Sequence, residues 1–116
     1  MATLATGGRG GNLHYRLTDV TANSTVSIPA GYGIRDVWIA NTTANAVTGG
    51  VRIGTTDSGV DVVLAQTVGA NGLMKISDAA LLKNVFSLAA AQTLFIQAVV
   101  AWNSANLTVT FDLVAI

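Results

Sequence analysis

A chain of 116 residues is sized for one domain, and folding at this length buries roughly two thirds of the unfolded surface, enough for a core without metal or disulfide. It has no cysteine, and six Arg or Lys balance six acids, all of them Asp; thiolate chemistry is excluded, and no basic footprint for nucleic acid exists. Charged residues make up 10% of the chain against about 25% in an average domain. Thr, Asn, Ser, Gly and Ala must therefore cover much of the surface, and such a surface suits a protein held within an assembly.

The chain opens with "MATLATGGRGG", in which glycines 7, 8, 10 and 11 surround Arg9. Residues 1–12 read as an extended, Gly-rich N-terminal arm, because they bury too little apolar area to offset their chain entropy. Such an arm is ordered when something ties it down, so it is expected to lie along a neighbouring subunit or a partner. The stretch lacks the basic start and apolar run of a signal peptide. The longest apolar run, "LFIQAVVAW", is far short of the ~20 residues that span a bilayer. Synthesis in the cytosol and no membrane partner are the expectations.

Residues 13–116 read as a single β-sandwich domain. Leu13, Tyr15 and Leu17 alternate with His14, Arg16 and Thr18, the period of a half-buried strand. Val26 and Ile28 mark a second strand, closed by Pro29. In the third, Ile34 to Asn41, apolar residues of both parities predict burial on both faces, with Trp38 in the core. Val51 to Thr55, Val60 to Gln66 and Leu73 to Ile76 supply three more, separated by the turn sequences "TDSG" and "GANG". "SDAALLKNV", Ser77 to Val85, has a capping residue and one apolar face, so a short helix is expected there. Thr93 to Ala101 and Leu107 to Ile116 complete about eight strands, joined by a "WNSAN" hairpin. With that count, an all-β, jelly-roll-like sandwich is the expected fold.

The glycine spacing of "GGVRIGTT", Gly49 to Thr56, is that of a phosphate-binding loop, but Thr55 stands where the chemistry requires a lysine. The β-branched residues that follow favour a strand over the helix whose N-terminus would face a phosphate. A turn followed by a strand is the reading. Asp57 and Asp61 lack the dense acidic spacing of a calcium loop and read as turn caps. His14 is the only histidine, which leaves no multi-histidine metal site, and no pairing of nucleophile and acid stands near it in sequence. No cofactor, metal or catalytic site is expected, and the chain reads as a non-enzyme. Three Asn-x-Ser/Thr sequons, at Asn23, Asn41 and Asn106, matter only in a secretory pathway and read as by-products of composition.

The residues expected to meet a partner are Arg9, His14, Arg16, Arg52 and Trp102. Arginine is enriched at protein interfaces, His14 falls on the polar face of its strand, and Trp102 sits at a hairpin mouth. "IPAGYGIRDVWIANTTANAVTGGVRIGTT", "DVVLAQTVGANGLMKISDAALLKNVFS" and "TLFIQAVVAWNSANLTVTFDLVAI", together roughly residues 28–116, resemble small virion proteins of tailed bacteriophages, most of all capsid decoration, or cement, proteins. That resemblance implies a jelly-roll-like sandwich, made in the host cytoplasm, that binds the outside of the capsid as a homodimer or homotrimer. It also implies that the protein bridges subunits of the major capsid protein, often through a terminal arm. A second reading of the residues is a tail-fibre or spike module that binds host glycan through Trp102 and the Asn-rich loops.

Overall fold

Period-two alternation and regularly spaced Gly, Asn and Asp breakers give strands along almost the whole chain. The computed structural model describes residues 2–9, 12–76, 81–82 and 89–116. Its strands are β1 (Thr3–Arg9), β2 (Asn12–Val20), β3 (Ser24–Ile28), β4 (Tyr32–Asn41), β5 (Val51–Gly54), β6 (Val63–Gln66), β7 (Leu73–Lys75), β8 (Gln92–Ala98) and β9 (Leu107–Ala115). They form two antiparallel sheets, one in the order β1-β2-β9-β4-β7 and one in the order β3-β8-β5-β6. Among the described residues there is no helix. The helix expected over Ser77 to Val85 lies outside the described residues except for Leu81 and Leu82, which run along β6: Leu81 bridges Val63, and the Leu82 N–H donates to the Val62 carbonyl.

All eight strands expected from periodicity are present. The ninth, β1, falls in the segment read as an arm. Thr3–Arg9 folds back on its own chain and pairs with β2 from Thr3↔Thr18 to Arg9↔Asn12, so the partner found along this segment is the chain's own β2. The physical reason is backbone hydrogen bonding, which pairs a strand with an open edge whether or not its side chains reach a core. Leu4 is 44% exposed, and β1 adds hydrogen bonds more than apolar burial.

One core lies between the sheets. β9 supplies Leu107, Val109, Phe111 and Leu113, all fully buried, and the second sheet meets them with Val26, Ile28, Val51, Ile53, Leu94 and Ile96. Two bulges set which residues face this core. In β2 the register shifts between Leu17 and Val20, where Asp19 takes φ 55°, and both apolar residues become buried. In β4 it shifts between Ile34 and Asp36, which brings Ile34, Val37 and Ile39 to the same inner side. The extra residue of a bulge reverses the alternation beyond it. This corrects the expectation that β4 is buried on both faces with Trp38 in the core: Trp38 points outward and is 38% exposed.

The glycine spacing of Gly49 to Thr56 resolves into backbone geometry. Gly49 and Gly50 take φ 80° and 90° in a turn closed by Gly50 N–H donating to the Val47 carbonyl, and β5 follows at once. The adjacent loop is ordered by Asn41, which is 2% exposed. Its Oδ1 accepts from the Thr43 N–H at 3.0 Å and the Thr43 hydroxyl at 2.8 Å, and its Nδ2 donates to the Asn45 carbonyl at 2.6 Å. A buried amide satisfied in this way fixes the exit of β4.

Candidate interaction surface

The outer side of the five-stranded sheet gathers much of the charge the chain has. Because side chains alternate, the residues that face away from the core on β2, β9, β4 and β7 line up in rows across the sheet. One row runs Arg16, Thr110, Trp38, Lys75 through successive register pairs. The next holds His14, Asp112 and Asp36. Arg35, at the β4 bulge, reaches the same row. Of six basic and six acidic residues, three basic and two acidic meet here: Arg16, Arg35 and Lys75 with Asp36 and Asp112.

Asp36 and Asp112 sit opposite each other on neighbouring strands, an arrangement that destabilises unless cations answer it. Here each has its own. Arg35 donates from Nε (2.9 Å) and Nη2 (2.8 Å) to Asp112 Oδ2, and Lys75 Nζ lies 3.2 Å from Asp36 Oδ2. Asp36 Oδ1 also accepts the Val37 N–H. Lys75 Nζ stands 5.6 Å from the Trp38 ring centroid, within cation–π range. Asp112 Oδ1 is enclosed without a hydrogen bond, and His14 Nδ1 is 3.8 Å from it, too far to supply one. The cations are more than half exposed, so in water each pair contributes about 0–1 kcal/mol. Covering the face would desolvate them and orient whatever covers it.

The residues singled out from sequence do not form one site. His14 and Arg16 are exposed on this face. Arg9 ends β1 at the register position opposite Asn12. Arg52 lies on the other sheet, opposite Gln97, with its Nε enclosed and unpartnered. Trp102 is at the loop end of the molecule, half-buried against the core, and its indole Nε1–H donates to Asn23 Oδ1 at 2.8 Å. Trp38 as a contact residue, Lys75 and the two aspartates are not found by sequence reasoning. A signal existed for Trp38: it shares parity with Asp36, and a carboxylate two residues away on one strand marks an outward face.

A cleft of about 610 Å³ opens at the outer side of β3 and β8, where the β2–β3 loop and Ala2 at the start of β1 border it, and is lined among others by Thr21, Asn23, Thr25, Asp57, Phe95 and Gln97. The β5–β6 loop forms one wall. Asp61 holds the start of that loop by accepting from the Thr55 N–H (2.8 Å) and hydroxyl (2.6 Å), and Gln97 ties it to β8: Ser58 N–H donates to Gln97 Oε1, and Gln97 Nε2 donates to Asp57 Oδ1. The turn-cap role expected of Asp61 is present; Asp57 instead anchors to the neighbouring strand. Among the described residues, no group of three or more His, Cys, Asp or Glu could hold a metal ion, and no helix is long and apolar enough to cross a membrane. No protein-family model matches the chain, and comparison with curated proteins and with solved structures yields no match.

Proposed function

We propose that this protein is a non-enzymatic bacteriophage virion protein that decorates the capsid, binding its outer surface and bridging major capsid protein subunits. The observation that carries the reading is the outer face of the five-stranded sheet, where exposed Trp38 and Arg16 stand in one row beside two solvated ion pairs. Trp and Arg are the side chains that most often dominate binding energy at protein interfaces. A sparse overall charge supports the same reading, since a neutral surface tolerates many copies side by side.

The fold is read here as a jelly roll. Setting β1 aside, the two sheets run β2-β9-β4-β7 and β3-β8-β5-β6, so that successive strands mostly switch sheets and the first and last lie adjacent. This order supports two interleaved Greek keys, an architecture that recurs in viral capsid and lectin domains. β1 widens the contact face by one strand. Self-association as a homodimer or homotrimer is assigned to the loop end, where Leu73 and Val100 are 69% and 70% exposed. Each contact is modest, but several per oligomer across a repeating shell give large avidity.

The test is copy number and binding. Quantitative electrophoresis of purified virions should find many copies on the head; few copies, at the tail, would refute decoration. In co-sedimentation with capsids stripped of this protein, Trp38→Ala and Arg16→Glu should each weaken binding by tenfold or more, about 1.4 kcal/mol. Neither should alter the β-type circular dichroism. Full binding by both variants would move the contact off this face.

A further inference from the structure

We propose that the cleft on the four-stranded sheet binds a neutral, hydroxyl-rich ligand, a pyranose unit of a glycan. This does not rest on the decoration reading, because the lining of the cleft shares no residue with the rows of Arg16, Trp38, Lys75 and the two aspartates. Its volume of about 610 Å³ falls within the range of small-molecule sites, ~300–1,000 Å³.

The polar groups of the lining are fixed in place and still have capacity left over. Asn23 Oδ1 accepts from both the Ala98 N–H (3.2 Å) and the Trp102 indole N–H (2.8 Å). These two donors settle which end of the amide is oxygen, so Nδ2, which has no partner among the described residues, remains as a donor. Gln97 is only 7% exposed, and both ends of its amide are engaged, Oε1 by the Ser58 N–H and Nε2 by Asp57 Oδ1. It therefore immobilises the Asp57 carboxylate while Oδ2 stays open as an acceptor. Thr21 and Thr25 add hydroxyls, and half-buried Phe95 supplies one apolar wall.

A donor amide, a held carboxylate and a single ring suit a pyranose, whose hydroxyls both donate and accept while its C–H face packs on an aromatic ring. Charge-assisted bonds from sugar hydroxyls to Asp57 would be the strongest of the set. Phosphate and other anions are disfavoured because, among the described residues, the charge in the lining is that carboxylate. An aromatic heterocycle would call for walls on two sides, and among the described residues the lining has the single ring of Phe95. The glycan reading of the sequence thus changes its residues. Trp102 is a positioning residue that orients Asn23, and the contacts pass to Asn23, Asp57 and Phe95.

The experiment is a titration of the full-length ¹⁵N-labelled protein with the methyl glycosides of glucose, galactose, mannose and N-acetylglucosamine, and separately with inorganic phosphate and adenosine. At least one glycoside should shift the amides of Asn23, Thr25, Asp57, Phe95 and Gln97 in a saturable manner with a millimolar Kd. Phosphate and adenosine should leave them in place. Asp57→Asn should weaken the responding glycoside by about tenfold, and Phe95→Leu should weaken it as well. Because the mapping is done on the unaltered protein, instability of a variant does not blunt the test. Absence of cleft shifts with all four glycosides, shifts confined to another surface, or cleft shifts with adenosine or phosphate in place of a sugar would overturn the proposal.

Discussion

Gly54 offers a sharp test of how the second sheet is covered. It ends β5 without a positive φ, so its backbone alone would accept alanine. Space forbids it: a Cβ there would lie 2.4 Å from the Gly59 carbonyl carbon, 2.5 Å from its oxygen and 2.7 Å from its Cα. All three are backbone atoms, roughly 1 Å inside ordinary contact, so no side-chain rotation relieves the clash and the β5–β6 loop must move. Gly54→Ala should then cost about 2 kcal/mol through overpacking and weakened loop hydrogen bonds. For a domain of this size that is a fall in Tm of roughly 6–10 °C. Gly7→Ala is the control. It too is a strand glycine without positive φ, but nothing lies within 4 Å of its added Cβ, and replacing it should be neutral or stabilise by about 0.5–1 kcal/mol. Thermal melts of both variants, with amide shifts of Ser58 and Gln97 as local reporters, decide the matter. If Gly54→Ala melted within about 2 °C of the parent with those amides unmoved, the packing of the loop on β5 would be refuted.

Two further perturbations probe the interior. Phe111→Ala empties the middle of β9, where the ring is fully buried between its neighbours, and urea unfolding should show a loss of about 3–5 kcal/mol; a loss near zero would mean that the core is elsewhere. Asn41→Ala removes one acceptor and one donor from the buried turn after β4 and should cost about 1–3 kcal/mol. Amide exchange at Thr43 should accelerate in step, whereas Asn45→Ala, at a position whose backbone carbonyl makes the contacts, should stay within about 0.5 kcal/mol.

Alternation along the chain is enough to give the class of the fold and most of its strands. Alternation along "LTVTFDLVAI" and "LHYRLT", punctuated by turn residues, needs no partner to be legible, because side-chain direction in a strand follows from backbone geometry alone. The same reasoning settled the glycine-rich stretch before β5, since a lysine and a helix are local requirements and both are missing. Where alternation breaks, and which side chains become neighbours, depends on how the strands pair. In "GIRDVWIAN" Ile34, Asp36 and Trp38 share parity, and only pairing with β9 reveals the bulge that turns Ile34 inward while Asp36 and Trp38 stay outward. β1 carries no buried periodicity because its stability comes from hydrogen bonds to β2, with Leu4 44% exposed. The five candidate contact residues were scattered because arginine and tryptophan carry no address in their chemistry. Asp112 meets Arg35 across 77 positions and Trp102 meets Asn23 across 79, distances at which only the order of strands in a sheet determines which side chains share a face.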